Sequence, residues 1–383
     1  MLPAIKGGTP VRKKENYLVF GEPYIGREEI EEVIRTLESC WVGTGPKVSR
    51  FEEMVKEYLG AKYAVALSSC TAALHLSMLA LGIGREDEVI TTPMTFSATA
   101  NSILHTGAKP VFVDIDKETL NIDVEQIEDA ITEKTKAILP VHFAGRPCNI
   151  DAILNLVKRH NLLLIEDAAH AFGAEYKGKK IGNFGDVTCF SFYVNKNITT
   201  IEGGMVTTDN SYLADRIKIL ALHGMSKDAW RRFSDEGYKH YYVGEAGFKY
   251  NMTDVQASMG LHQLPRIEEW HKRRVEIWKK YNDAFQNLPL QLPLEEEKNI
   301  RHARHLYTII LKTEKLNCDR DFILNALHAE GIGVGVHYTA LHLHPQFRRI
   351  GYKKGNFPNA EYIGDRTISL PSVSYTHLTL PTN

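Results

Sequence analysis

Lys196 stands in the run Phe190-Ser191-Phe192-Tyr193-Val194-Asn195-Lys196-Asn197, downstream of Ile165-Glu166-Asp167-Ala168-Ala169-His170 and upstream of Glu202-Gly203-Gly204. Most lysines are surface charges, but this one follows an apolar strand pattern, Val187 to Phe192, and precedes a glycine turn. A lysine so placed points into the crevice at a strand end, where desolvation lowers its pKa and leaves the amine nucleophilic. Asp167 closes the apolar run before it. A carboxylate there is either a plain helix N-cap or the partner of a cationic ring nitrogen. A lysine for an imine, a carboxylate for a ring nitrogen, and hydroxyls or amides for a phosphate make up the set that pyridoxal phosphate needs.

Further residues fit the same chemistry, each beside a plainer role. Ser68-Ser69-Cys70-Thr71-Ala72 precedes a helical pattern, so it reads as a helix cap and equally as a phosphate site made of free N–H groups and hydroxyls. Phe96, after Thr95 in a strand-to-helix turn, is core or a ring that stacks on a pyridine face. His170, three residues past Asp167, is an ordinary half-buried histidine, or orients that carboxylate or sits near a cofactor oxygen.

The elements that position these residues alternate. Ala64 to Leu67, Val89 to Thr91, Val111 to Val113, Ala137 to Leu139, Leu162 to Ile165, Val187 to Phe190 and Met205 to Thr207 read as short apolar strands. Helical patterns lie between several of them, at Ala72 to Leu81, Ser97 to Leu104 and Val124 to Ile131. This predicts an α/β fold with a mainly parallel central sheet and helices on both faces. Ligands then belong at the carboxyl ends of the strands, where Ser68 to Thr71, Asp167 and Ser191 to Lys196 fall. Beyond Thr253 the chain turns helix-rich through Asn287, with Pro265 where a second helix starts; Leu306 to Leu311, Phe322 to His328 and Val334 to His337 then predict a smaller C-terminal α+β domain. We expect a large domain over 1–255 and a small one over 256–372. The last residues, 373–383, match the translation of a common sequencing adapter, so we expect the native chain to be cut near Ser372, with a C-terminal helix of the small domain missing.

Composition narrows the function classes. The chain has 383 residues and a formal net charge of -1 without a basic tract, which gives a nucleic-acid surface no support. No apolar run approaches the roughly 20 residues of a membrane span, and no secretory signal is visible. Five scattered cysteines, without metal-ligand pairs, fit a reduced cytosol and no metal site.

Several ordered motifs, Ser68 to His75, Pro93-Met94-Thr95-Phe96, Pro140-Val141-His142, Ile165 to His170, Ser191 to Glu202 and Tyr250 to Asp254, together with Thr44-Gly45-Pro46 and Gly335 to Tyr338, resemble the DegT/DnrJ/StrS family. These are pyridoxal-phosphate-dependent sugar-nucleotide aminotransferases of fold type I, and the resemblance runs from about Gly21 to about Pro371. It implies Lys196 as the Schiff-base lysine and proton carrier, and Asp167 as the ring-nitrogen partner. It implies Phe96 as the stacking ring, His170 as a residue close to the cofactor, and Ser69, Cys70, Thr71, Ala72 and Ser191 at phosphate positions. Asn251 would reach the phosphate in the neighbouring subunit of a homodimer with shared sites. Thr44 and His337 fall in motifs near the sugar-nucleotide pocket. The implied reaction moves an amino group from L-glutamate, which leaves as 2-oxoglutarate, to a keto group of a nucleotide-activated sugar, with a 4-keto sugar preferred, in amino-sugar or polysaccharide biosynthesis. Some superfamily members are sugar dehydratases with histidine at the lysine position; Lys196 argues for transamination. A regulatory protein on the same fold is a third reading, weakened because every expected catalytic position is filled.

Overall fold

The computed structural model describes residues 4–226 and 240–372; the expected adapter-derived tail at 373–383 lies outside them. Two helices, α1 (Arg27–Glu38) and α2 (Pro46–Leu59), precede the sheet. Then follow β1 (Tyr63–Leu67), α3 (Cys70–Ala80), β2 (Glu88–Thr91), α4 (Ser97–Thr106), β3 (Lys109–Phe112), β4 (Thr135–Ile138), α5 (Ile150–His160) and β5 (Leu163–Asp167). A small hairpin, β6 (Glu175–Tyr176) and β7 (Lys179–Lys180), leads to β8 (Val187–Ser191), β9 (Gly204–Thr208) and α6 (Ser211–Ala221). The seven main strands form one sheet in the order β1-β9-β8-β5-β4-β2-β3.

The pairings β2–β3, β2–β4, β4–β5 and β5–β8 are parallel, and β9 runs antiparallel to both of its neighbours. The sheet is therefore mainly parallel, as expected, with one reversed strand. The reversal follows from the short link between Ser191 and Gly204, which holds no crossover helix of the kind a parallel return needs. Because β9 runs backwards, its first residue lies at the edge where the other strands end. Gly204 pairs with Leu67 at the end of β1 and with Ser191 at the end of β8.

Period-two alternation explains the near-continuous apolar strands. Along β8 and just past it, Phe190 and Phe192 enter a layer with Phe51 and Val55 of α2, while Val187 and Cys189 enter the layer with Leu74 and Met78 of α3. One stretch departs from expectation. Val124 to Ile131 is two short 3-10 turns, Val124–Gln126 and Glu128–Ala130, and not one helix. The Asp123 side chain caps the first, and Ile131 is already extended, so no third turn forms.

Past Thr253, α7 (Asp254–Gln263) opens on a capping box between Thr253 and Gln256, and α8 (Ile267–Phe285) follows a 3-10 turn that contains Pro265. The start of α8 packs with the large sheet through Ile267 and Trp270; its later residues Ile277, Trp278 and Tyr281 pack on a second, antiparallel sheet. That sheet is β10 (Leu290–Gln291), β12 (Tyr307–Leu311) and β13 (Thr367–Leu370), while β11 (Ile300–Arg301) pairs with the β6–β7 hairpin. Helices α9 (Arg320–Ala329), α10 (Pro345–Arg349) and α11 (Pro358–Gly364) complete the C-terminal part. Val334 to His337 is not a strand; only Gly335 bridges to Ser369. Among the described residues no helix is long and apolar enough to cross a membrane.

The tightest backbone approach in the sheet is at Gly204. A Cβ there would stand 2.3 Å from the Ser69 carbonyl and 2.6 Å from the Cys70 nitrogen. At Gly43 a Cβ would meet nothing within 4 Å. Gly204→Ala is expected to cost about 1–3 kcal/mol through overpacking and Gly43→Ala close to nothing, which urea midpoints of the two variants will compare.

Candidate active site

The carboxyl-end edge of the sheet opens into a cavity of about 610 Å³. It is shaped by the turn into α3, the turn into α4, the ends of β5 and β8, and two segments of the C-terminal part that carry His305 and Tyr338. Of the residues singled out in the sequence, Ser69, Cys70, Thr71, Phe96, Asp167, His170, Ser191, Lys196 and His337 all line it. Ala72, Thr44 and Asn251 do not.

Lys196 follows the end of β8 and lines the cavity. Burial pulls its pKa down to about 8, against the opposing influence of Cys70 and Asp167 nearby. Near neutral pH roughly a tenth of an amine of that pKa is free base, against well under about a thousandth for an ordinary lysine, and the free base is the nucleophile. Asp167 ends β5 and is buried. Its Oδ2 accepts from Thr99 Oγ1 at 2.7 Å and its Oδ1 from the Ala169 amide at 3.1 Å. Thr95 Oγ1 lies 2.7 Å from Thr99 Oγ1 and donates to it, since the Thr99 hydrogen is already given to the carboxylate. Desolvation nonetheless raises the Asp167 pKa, and among the described residues it forms no ion pair. A buried carboxylate in that state is relieved by a cation placed in the cavity.

At the N-terminus of α3, Ser69 Oγ accepts from the Ala72 amide at 3.1 Å, so the helix caps itself there and the Ala72 N–H is already used. The Cys70 and Thr71 amides precede any carbonyl four residues back in the helix and remain available to an anion. The missing side chain of Gly204 keeps this corner open to the backbone. Phe96 sits at the head of α4, 60% exposed, as befits a ring held ready at a cavity wall rather than a core residue. A buried carboxylate short of a cation, a lysine of lowered pKa and open helix amides fit the pyridine nitrogen, aldehyde and phosphate of pyridoxal phosphate.

Several contributors were missed in the sequence. Thr99 and Thr95 hold Asp167; their place one helical turn apart at the start of α4 was the available signal. Tyr338 OH lies 3.2 Å from His170 Nε2, and the His305 ring centroid is 4.5 Å from that of His170. Neither could be placed without the path of the C-terminal part. His142, quoted only inside a motif, lies behind the site: Cys148 N donates to its Nδ1 at 3.1 Å, so the hydrogen is on Nε2, which meets Glu166 at 3.0 Å. Glu166 also accepts from Gly185 N and Thr188 Oγ1, which secures the residue before Asp167.

Comparison with known proteins agrees with this geometry. Residues 23–380 match the model of the DegT/DnrJ/EryC1/StrS aminotransferase family. The chain belongs to that family. The spore coat polysaccharide biosynthesis protein SpsC of Bacillus subtilis is 50% identical over 363 residues, 94% of this chain and 93% of that protein. The putative sugar aminotransferase Spr1654 of Streptococcus pneumoniae, solved in PLP and PMP forms, is 34% identical with a TM-score of 0.88, over 94% of each chain in the PLP form. DesI, solved in the presence of its TDP-sugar product, is 31% identical with a TM-score of 0.86, over 97% of this chain and 92% of that one. The family member described here is thus a sugar aminotransferase of PLP fold type I that uses pyridoxal phosphate.

Burial also lowers the pKa of His170, His302 and His305 well below the ordinary histidine value. The unfolded chain therefore binds protons below about pH 6.5 that the folded chain refuses, and stability falls as pH drops through that point, by up to about 1.4 kcal/mol per pH unit for each. Urea midpoints should fall between pH 7 and pH 5.5, and His302→Gln should make that fall shallower.

Proposed function

We propose that this aminotransferase transfers an amino group from L-glutamate, released as 2-oxoglutarate, to a keto group of a nucleotide-activated sugar, a 4-keto sugar by preference, in amino-sugar or cell-surface polysaccharide biosynthesis. The observation that carries the reading is Lys196, its pKa lowered to about 8, in one cavity with a buried Asp167 that, among the described residues, forms no ion pair. A nucleotide carrier is supported by DesI, whose product is a TDP-sugar. The polysaccharide setting is supported by SpsC. Work in the cytoplasm suits a chain with scattered, unpaired cysteines.

When bound, pyridoxal phosphate supplies an electrophilic carbon for the amino group and a ring that takes up the electron pair freed at the substrate's amine-bearing carbon. Asp167 would keep the ring nitrogen protonated, and Thr99 with Thr95 behind it holds that carboxylate in place. Lys196 would take the proton from the amine-bearing carbon of the donor and return one to the sugar carbon in the second half-reaction. A positioned base of this kind is worth about 10²–10⁴ in rate. The amides of Cys70 and Thr71 and the Ser191 hydroxyl would hold the phosphate, Phe96 would cover the ring face, and His337, which lines the same cavity, would meet the sugar. Lys196→Ala should abolish turnover and leave no cofactor fixed to the chain after borohydride reduction, read by mass spectrometry. With the unaltered enzyme, a nitrogen-free deoxy sugar as product would speak for the dehydratase reading.

The same reading makes the enzyme a homodimer with shared sites. Asn251 Nδ2 donates to Thr44 Oγ1 at 2.6 Å, and Thr44 Oγ1 donates to the Met252 carbonyl at 2.5 Å. Neither residue lines the cavity of its own chain, and in the proposed dimer Asn251 serves the neighbour's site. Nearby, α1 and the turn after it leave Ile30, Ile34, Leu37 and Trp41 about half exposed, an apolar surface that a second copy would cover. Mixing an Asn251→Ala chain with a Lys196→Ala chain should restore activity in mixed dimers, up to about a quarter of wild type if exchange is random and each half-site acts alone. No recovery despite proven subunit exchange would confine Asn251 to its own chain.

A further inference from the structure

Behind the cavity wall lies a buried pair that the chemistry above does not use. Glu166 precedes Asp167 on β5, and successive strand residues face opposite sides, so Asp167 lines the cavity and Glu166 does not. The Glu166 and His142 side chains are both buried, and His142 Nε2 lies 3.0 Å from Glu166 Oε2. On its other oxygen Glu166 accepts from the Gly185 amide at 2.9 Å and the Thr188 hydroxyl at 2.7 Å. Its carboxylate thus ties the end of β5 to the chain beyond β4 on one side and to β8 on the other. The backbone adds to the first tie. The His142 amide donates to the Asp167 carbonyl at 3.1 Å, and the Asp167 amide to the Pro140 carbonyl at 3.0 Å.

The hydrogens of the pair have one consistent arrangement. The Cys148 N–H donates to His142 Nδ1 at 3.1 Å, so that nitrogen carries a lone pair and the ring hydrogen is on Nε2. Desolvation works against a charged His142, whereas a Cys148 thiolate and the Glu166 carboxylate would work for one. Cys148 keeps its thiol hydrogen, however, and gives it to the Val141 carbonyl at 3.2 Å. A second ring hydrogen would also stand on Nδ1, head-on to the Cys148 N–H. The imidazole is therefore neutral, and Glu166 is an anion that takes three hydrogens and gives none.

We propose that Glu166 and His142 are positioning residues for the transamination: they fix the end of β5 between its neighbours, so that Asp167 meets the cofactor's ring nitrogen while Lys196, just past β8, reaches the other end of the ring. The consequence rests on the cofactor reading given above; the arrangement of hydrogens belongs to the protein alone. That arrangement dictates which substitutions are tolerated. Glu166→Gln puts an amide hydrogen where a lone pair is needed. Turned one way it faces His142 Nε2–H, turned the other it faces the Gly185 N–H, and moving the His142 hydrogen to Nδ1 only passes the conflict to Cys148. His142→Gln has no such conflict, since its carbonyl can accept from Cys148 and its amide can donate to Glu166. Exchanging the roles, with Glu166→Gln and His142→Glu in one chain, again gives every donor an acceptor.

The arrangement is read in protein labelled with ¹⁵N at cysteine and histidine. The Cys148 amide, assigned by its loss in Cys148→Ala, should couple across its hydrogen bond to an imidazole nitrogen that carries no hydrogen. The consequence is read in enzyme loaded with pyridoxal phosphate ¹⁵N-labelled in the ring. Glu166→Gln should move the ring-nitrogen signal toward the unprotonated form and lower kcat on the order of tenfold or more, with KM for glutamate within about threefold. His142→Gln should lose far less, and the double exchange should regain most of what Glu166→Gln lost. Should Glu166→Gln not fold, Thr188→Val, which removes a single hydroxyl, should shift both readings the same way by a smaller step. An imidazolium at His142 or no coupling to Cys148 overturns the proposal. So does equal damage from His142→Gln and Glu166→Gln, or a ring signal and kcat unmoved in Glu166→Gln or in the Thr188→Val chain that replaces it. Failure of the cofactor reading would appear separately, as a colourless protein that keeps the Cys148 coupling.

Discussion

A carboxylate placed at the buried end of a β-strand has to be stabilised from outside the strand, and much of this molecule is arranged around that need at Asp167. Among the described residues it is hydrogen-bonded only by a hydroxyl, from Thr99, and one amide, from Ala169. Both are neutral donors, and desolvation outweighs them, leaving the pKa raised. A positive charge brought into the cavity would reverse that balance, because attraction between charges grows as water is excluded. The site is therefore prepared for a cationic ring nitrogen. In the proposed reaction its electrostatics would favour the protonated form of the cofactor ring, the one that accepts electrons.

The fold makes room for that group with one irregularity. A wholly parallel sheet would present only strand ends at the cavity edge. Reversal of β9 brings a strand beginning there instead, and with it Gly204, paired with both Leu67 and Ser191. The absent side chain lets the backbone of β9 lie against Ser69 and Cys70, which brings the first amides of α3, the end of β8 and the lysine after it around one opening. The amides at the head of α3 and Lys196 are thus set relative to each other by strand pairing, which resists deformation better than loop contacts do.

Much of this was legible from residue order. The central strands were found because burial on both faces leaves apolar runs that end in polar residues, and Asp167, Ser191 and Lys196 follow such runs directly. The direction of β9 was hidden, since a strand's sense depends on its connection and not on its own composition. Val124 to Ile131 carries helical periodicity but is stopped by its neighbours, a tertiary limit that periodicity does not register. Asn251 and Thr44 were singled out by motif, and within one chain they bond to each other rather than line the cavity. Thr99, Tyr338 and His305 escaped for a common reason: each acts on a residue far away in sequence, 68 positions for Thr99 and Asp167 and 168 for Tyr338 and His170.

Those distant partners give the C-terminal part a direct role at the site. His305 immediately precedes the segment that enters β12, and its ring is tied through Asn197 to the residue after Lys196. Ala303 accepts from the same Asn197, and His337 is held by Ser369 of β13 at 2.9 Å. A shift of the small sheet against the large one would move His305 and the Lys196 segment together, since Asn197 bonds to both ends of that contact. It would also move His337, which Ser369 and Thr367 of β13 hold. The positions of proton donors and of the lysine are thereby coupled through packed rings and buried hydrogen bonds, a network whose members are costly to leave half satisfied. The C-terminal part is accordingly a wall of the active site, and the integrity of β12 and β13 bears on chemistry as well as on stability.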